Sequence, residues 1–118
     1  MIRATVTAFA LLGLSAVSAT AEPANLAATE FRRMESGASQ GVAVDAGHIY
    51  AVSNFRITKF DKATGAKVAE WVGTKERFPH INSCAVLAKE LVCAASNFPA
   101  TPMTSSVEIF DPKTLKLL

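Results

Sequence analysis

The sequence lacks several of the short motifs by which common catalytic sites are identified. It contains no glycine-rich phosphate loop, no His-Glu-x-x-His metal motif and no Cys-x-x-Cys pair. With two histidines and two cysteines, it offers no obvious pair of side chains for metal binding or nucleophilic catalysis. These absences favour a protein that is not an enzyme, and we expect no cofactor.

The sequence also has no marked excess of positive or of negative charge. The chain has 12 Lys and Arg against 10 Asp and Glu, with no long run of either sign. Recognition of nucleic acid depends on a basic patch that neutralises phosphates. We therefore expect no nucleic-acid partner.

Residues 1–21 have the three parts of a secretory signal peptide. Arg3 supplies the charge, an apolar run follows over residues 4–17, and small residues stand at Ala19 and Ala21 before a cleavage site at Glu22. A retained membrane anchor is the alternative, but the run is shorter than the roughly 20 residues that a bilayer requires. We expect export to the periplasm or beyond, with membrane contact only through this segment.

The two cysteines remain after the signal is removed. Cys84 and Cys93 lie on two expected strands joined by a turn near Ala88-Lys89, which places them opposite each other. Because exported proteins experience oxidising conditions, a disulfide between them is the favoured interpretation. The alternative is a pair of buried free thiols that act as small apolar side chains.

Short runs rich in Val, Ile, Phe and Tyr predict an all-β fold. Residues 22–39 read as a linker with a possible outer strand at 29–35. Beyond it, turn residues separate four candidate strands of an antiparallel meander, with the sequences GVAVD, HIYAVS, RITKFD and KVAEWV.

The meander recurs further along the chain. Residues 84–98 match residues 41–55 at an offset of 43, and both segments end in Ser-Asn-Phe. After seven extra residues the match resumes at an offset of 50, where 107–114 match 57–64. Repeats over 40–73 and 80–118, the second incomplete, have the period of β-propeller blades.

Three segments carry a resemblance to a known group of proteins. Gly-Val-Ala-Val-Asp at 41–45, Ile-Tyr-Ala-Val at 49–52 and Phe-Asp-Lys-Ala-Thr-Gly at 60–65 resemble blades of exported bacterial propellers of the NHL, YVTN and quinoprotein-like group. The resemblance implies four-stranded blades, of which about two are present. It implies no single activity, since such propellers include protein-binding scaffolds, lactonases, cycloisomerases and quinone-dependent dehydrogenases.

Two blades are too few to close a ring. We expect this chain to be an N-terminal fragment of a longer propeller. The alternatives are a protomer that completes a ring by association and a small open sheet built from blade-like meanders.

His80 is the more interesting histidine. It lies in the link that leads into the second repeat, where propellers open onto one mouth of their channel and ligands gather. It is a weak metal candidate because no second histidine accompanies it, and the alternative is a histidine hydrogen-bonded to a neighbouring loop. His48 falls in a hairpin turn on the opposite side, where we expect it to be solvated.

The repeated Ser-Asn-Phe tripeptide and the stretch of residues 99–106, which holds the seven extra residues and which we call the inserted loop, point to the same mouth. Asn in such a position is commonly a turn residue, while the hydroxyls of the insertion offer ligand contacts. The ligand-binding candidates are His80, Asn82, Asn54, Asn97, Thr104 and Ser105. Asp45, Asp61 and Asp111 close strands before turns, and we interpret them as turn caps rather than as catalytic acids.

The sequence therefore predicts an exported propeller segment that binds a protein or a small molecule through its loops. The alternative is part of a lactonase or cycloisomerase, in which polar groups at the channel mouth hold a metal or polarise a carbonyl.

Overall fold

The computed structural model describes residues 33–118. The predicted signal peptide at 1–21 lies outside the described residues, as does most of the possible outer strand at 29–35. Residues 33–35 form no strand.

Seven strands make up the described part, which contains no helix. Their bounds are β1 Gly41–Val44, β2 His48–Ser53, β3 Arg56–Asp61, β4 Lys67–Val72, β5 His80–Leu87, β6 Glu90–Ser96 and β7 Ser105–Phe110. The all-β class is confirmed.

The strands form two antiparallel sheets in simple meander order. The first sheet has the order β1-β2-β3-β4, and the second has the order β5-β6-β7. A single bridge between Phe110 and Leu117 begins a fourth strand at the outer edge of the second sheet. Short turns join neighbouring strands because antiparallel pairs can be connected by tight hairpins, except that the longer inserted loop joins β6 to β7.

The core lies between the two sheets. Because side chains alternate across a strand, the first sheet presents one set of residues to the second sheet and the opposite set to its other side. We call the first set its front face, which comprises Ala43, Tyr50, Val52, Ile57 and Lys59. It packs on the back face of the second sheet, which comprises Cys84, Val86, Leu91, Cys93 and Phe110.

Aromatic side chains close one end of this core. Trp71 on β4 meets the rings of Phe78 and Phe110 edge-on, with centroids 4.9 and 4.8 Å away. Gly73 makes room for this arrangement, since a Cβ there would stand 2.6 Å from both Trp71 and Phe78. Trp71 thus packs into the interface between the sheets rather than serving as a surface contact.

The strand registers show how the two sheets correspond. Ile49 pairs with Val44 and Phe60 in the first sheet, just as Leu91 pairs with Val86 and Phe110 in the second. All other pairs from 41–53 and 56–60 follow the same scheme. This correspondence fixes an offset of 42 for the first two strands and of 50 for the third.

The offset of 43 predicted for the first two strands is therefore wrong by one residue. A slip of one residue inverts the face to which every side chain points. Tyr50 corresponds to Val92 rather than to Cys93. The shared Ser-Asn-Phe tripeptide misled the alignment because β6 extends one residue further than β2 before that tripeptide begins.

The turns after β3 and β7 are the same structure. Asp61 and Asp111 each accept a hydrogen bond from a threonine hydroxyl three residues later, at 2.8 and 2.9 Å. Their main-chain carbonyls each accept the N–H of the fourth residue, Gly65 or Leu115, at 2.8 Å. Both aspartates therefore cap turns, in agreement with the interpretation from sequence.

The last residue of this turn, Gly65 after β3 and Leu115 after β7, has left-handed backbone geometry in both turns. Gly65 has φ +75°, and Leu115 has φ +56°. For a side-chain-bearing residue this costs about 1–2 kcal/mol. Leu115 is buried in the core, and burial of a leucine contributes about 1.5–3 kcal/mol, which outweighs that cost.

A disulfide links Cys84 and Cys93 across the β5–β6 hairpin. Ala88 and Lys89 form the two-residue turn, both with positive φ, and the two cysteines are direct partners in the register. A covalent link over so short a loop stabilises the fold by about 2–3 kcal/mol in the chain-entropy account.

A polar cluster joins the front face to the turn after β7. Lys59, although buried, donates to the carbonyl of Pro112 at 2.8 Å, and its Nζ lies 5.8 Å from the Tyr50 ring centroid. Tyr50 donates its hydroxyl hydrogen to Asp45 at 2.7 Å. Burial and the bond to Asp45 raise the pKa of Tyr50 well above its ordinary value.

Asp45 also caps its own turn. Its carboxylate accepts the N–H groups of Gly47 and His48 at 2.7 and 2.6 Å. Partial burial acts to raise the pKa of Asp45, but the bonds from Tyr50, Gly47 and His48 outweigh it, so this pKa is lowered. The Nδ1 atom of His48 lies 3.2 Å from the same carboxylate, while the His48 side chain stays partly exposed to solvent.

We expect Gly65→Ala to lower the free energy of unfolding by about 1–2 kcal/mol. Nothing lies within 4 Å of the added Cβ, so only the backbone conformation opposes it. Urea denaturation measures the change. Gly47→Ala is the matched control, because Gly47 is not among the glycines with positive φ, and it should be neutral or slightly stabilising. Equal losses in both variants would contradict this account.

Acid should destabilise the protein through its turn aspartates. The N–H and hydroxyl of Thr64 lower the pKa of Asp61, and the N–H of Lys113 with the hydroxyl of Thr114 lowers that of Asp111. Since both folded pKa values lie below the unfolded ones, the unfolded state takes up protons first as pH falls. Stability should be level above about pH 4 and decline below it.

The double variant Asp61→Asn and Asp111→Asn tests this pH dependence by urea denaturation at several pH values. Its stability should fall less steeply with acid than that of the wild type, because two of the responsible groups no longer titrate. An unchanged slope would show that the turn aspartates do not carry the effect.

Candidate functional site

A cleft of about 180 Å³ opens at the end of the second sheet. Three parts of the chain form it: the link between β4 and β5, the end of β6, and the inserted loop with the start of β7. Its lining residues are Glu76, Arg77, Pro79, Ala95, Ser96, Asn97, Thr104, Ser105 and Ser106. Most of these present hydroxyl, amide or charged groups, so the cleft suits a polar ligand.

Asn97 holds the inserted loop in shape. Its side-chain oxygen accepts the N–H of Thr104 at 2.8 Å, and its side-chain amide donates to the carbonyl of Pro102 at 3.0 Å. The N–H of Asn97 also donates to the carbonyl of Thr104 at 3.2 Å. The asparagine thus closes the base of the loop and orients Thr104 and Ser105 toward the cleft.

Arg77 provides the positive charge of the cleft. Its guanidinium lies over the Phe78 ring, 5.0 Å from the centroid, and one of its nitrogens is 3.9 Å from Glu108. Glu108 also accepts the hydroxyl of Ser106 at 2.9 Å. The Arg77 side chain is 65% exposed, so the guanidinium retains donors for a ligand carboxylate or carbonyl.

His80 does not line the cleft. It begins β5 opposite Ser96, is half-buried, and its ring lies 5.3 Å from that of Phe98, just before the inserted loop. The contact is between rings, and no carboxylate or second histidine accompanies it within the described residues. Its role as a ligand-binding residue stays a prediction.

The remaining candidates occupy separate places. Asn82 is exposed where the register of β5 shifts. Asn54 lies in the β2–β3 turn, where its side chain accepts the Gln40 amide at 2.7 Å and its carbonyl accepts the N–H of Ile81 at 2.7 Å. Asn54 therefore connects the first sheet to β5. The structure brings together Asn97, Thr104 and Ser105, and it places Asn54, Asn82 and His80 outside that group.

Sequence reasoning missed the charged part of the cleft. Glu76 and Arg77 lie in the same link as His80, and the available signal was two charged residues in a short loop before a strand. Glu108 gave no such signal, because it lies within strand β7. Only the packing of the sheets brings it within reach of Arg77.

Residues 37–41, Gly-Ala-Ser-Gln-Gly, match the Gly-x-Ser-x-Gly spacing of a serine nucleophile turn. That turn requires a strand before the serine and a helix after it. Here no strand precedes Ser39 within the described residues, and β1 follows it. The N–H of Ser39 donates to the carbonyl of Val52 at 3.2 Å. The segment is therefore the loop that precedes β1.

In residues 33–118, two further features would bear on function, a cluster of metal-ligating side chains and a membrane-spanning helix. No group of three or more His, Cys, Asp or Glu side chains there is placed to hold a metal ion. None of these residues belongs to a helix long and apolar enough to cross a bilayer.

Comparisons of this chain with protein-family models, with curated proteins and with solved structures find no match. Function must therefore be argued from the geometry. The cleft offers one cation, several hydroxyls and main-chain groups on a loop fixed by Asn97. Such a set can bind and orient a polar molecule by hydrogen bonds.

We expect Asn97→Ala to loosen the inserted loop. Two side-chain hydrogen bonds are lost, and about 0.5–1.5 kcal/mol of stability with them, because solvent partly replaces exposed bonds. Amide exchange at Thr104 should become faster, and urea denaturation measures the global change. Asn82→Ala is the matched control, since the Asn82 side chain makes no hydrogen bond in the described part. Unchanged exchange at Thr104 would contradict the assigned role of Asn97.

Proposed function

We propose that this chain is an exported segment of β-propeller type that acts as a binding module, with the cleft beside the inserted loop as its binding site. The observation that carries the proposal is the strand-by-strand correspondence of the two sheets. The first sheet's front face packs on the second sheet's back face, so the sheets are stacked in the same sense.

Stacking in one sense is the arrangement by which propeller blades follow one another around an axis. The identical turns at Asp61 and Asp111 support the same interpretation. The disulfide is compatible with an oxidising compartment. These features support the export and blade architecture inferred from sequence.

Binding rather than catalysis is supported by the character of the cleft. Its side chains are donors and acceptors held by local structure, and Arg77 is engaged only at the long distance of 3.9 Å by Glu108. Serine hydroxyls and the Glu76 carboxylate line the cleft, but no histidine is among the described residues that line it, so a serine–histidine pair is not assembled there. An extended polar peptide is a suitable ligand, because its carbonyls and carboxylates match the guanidinium and hydroxyls.

The proposal is tested with peptides selected against the purified protein from a random display library. Affinities of the selected peptides are then measured for Arg77→Ala and for Ser105→Tyr, which fills the cleft. Both variants should weaken binding about tenfold or more, since a hydrogen bond to a charged group is worth about 1.5–3 kcal/mol. Lys113→Ala, an exposed cation outside the cleft, is the control and should bind like the wild type.

Two results would overturn the proposal. Selected peptides that bind both cleft variants as tightly as the wild type would place the site elsewhere. Hydrolysis of simple lactones by the wild type, lost in His80→Ala, would instead support the enzymatic alternative.

A further inference from the structure

The second sheet has a front face that is left open. By the strand correspondence it consists of the residues equivalent to the buried front face of the first sheet, which are Ala85, Val92, Ala94, Val107 and Ile109. All five are apolar. Val107 is 66% exposed, and none of the five is buried in the described structure.

The first sheet has a surface that matches this one, because its back face is exposed to solvent at β1. This face consists of the residues equivalent to the buried back face of the second sheet, which are Val42, Val44, Ile49, Ala51 and Phe60. Val42 and Val44 are 55% and 54% exposed. Ala51 and Phe60 are buried already, so the contactable surface is the ridge formed by Val42, Val44 and Ile49.

The same two kinds of face already meet inside the chain. The front face of the first sheet and the back face of the second bury Tyr50, Val52, Ile57, Leu91 and Phe110 completely. That junction shows that a front face and a back face of this fold fit each other. The chain therefore has one junction between matching faces, and it leaves exposed a second front face and the part of a second back face formed by Val42, Val44 and Ile49.

We propose that the open front face of one copy docks on the open back face of a second copy, so that chains associate head to tail through a repetition of their internal junction. The two faces differ, which makes the contact heterologous and able to extend or close into a ring. The inference rests on the strand correspondence and not on the cleft, so the outcome of the peptide experiment does not bear on it.

The chemistry of the open front face favours a second copy as occupant. Where the first sheet has Tyr50 and Lys59, which hold the carbonyl of Pro112, the second sheet has Val92 and Ile109. The five apolar positions of the open face carry no charge, and the charged residue of β6 on this face, Glu90, lies at the end of the strand beside the β5–β6 turn. An apolar β surface like the back face at Val42 and Val44 satisfies the five apolar positions by burial alone.

The test measures the mass of the purified protein by sedimentation equilibrium over a wide concentration range. The wild type should associate as concentration rises. Val107→Asp places a charge in the front face, and Val42→Asp places one in the back face. Each should weaken association at least about tenfold, while Met103→Asp, an exposed apolar residue on the inserted loop, should not.

A mixture of the two variants distinguishes head-to-tail contact from every symmetric one. Val107→Asp retains a sound back face, and Val42→Asp retains a sound front face. Together they can form one intact junction, so an equimolar mixture should yield a 1:1 complex that does not grow further. Circular dichroism and thermal denaturation of each variant confirm that it is folded, as expected for substitutions at exposed positions.

Three outcomes would overturn the proposal. If the wild type stays monomeric at every concentration, a second copy does not cover these faces. Their occupant is then something else, such as further repeats or a different protein. Association that only one of the two variants disrupts indicates contact between identical faces. A mixture that stays monomeric, while the wild type associates, likewise excludes the head-to-tail junction.

Discussion

The structure depends on the burial of one sheet's front face against the next sheet's back face. Neither sheet can bury its apolar side chains alone, because each is a single layer with side chains alternating between its two sides. Their contact removes Tyr50, Ile57 and Phe110 from solvent at the same time. The position of Trp71, the left-handed conformation of Leu115 and the buried Lys59 all follow from this contact.

Polar groups determine how the two sheets are aligned within that contact. The apolar surfaces alone would tolerate sliding, since burial is not directional. The side chains of Lys59 and Tyr50 donate hydrogen bonds to the carbonyl of Pro112. The carbonyl of Asn54 accepts the N–H of Ile81. No buried side-chain nitrogen or oxygen in the described part lacks a hydrogen-bond partner. These bonds add specificity to a junction whose driving force is apolar.

The cleft is a consequence of the same packing. The link between β4 and β5 must cross from one sheet to the next, and this crossing carries Glu76 and Arg77 to the end of β6. The inserted loop then covers that end with Thr104 and Ser105. A site built where the link between two sheets meets the end of the second sheet uses residues that are distant in sequence, and the sheets hold them in place.

The sequence by itself determined the strands, the turns and the disulfide, because each of these depends on residues that are near one another along the chain. The strands follow from runs of apolar residues, and two of the turns follow from the capping aspartates Asp61 and Asp111. The disulfide follows from the hairpin that places Cys84 opposite Cys93. Only the tertiary structure decided which face each strand buries, since the similarity of the two Ser-Asn-Phe segments hid a shift of one residue. It alone also left His80 out of the cleft that Asn97 lines and brought Arg77 to Glu108, because packing between sheets is not encoded in local patterns.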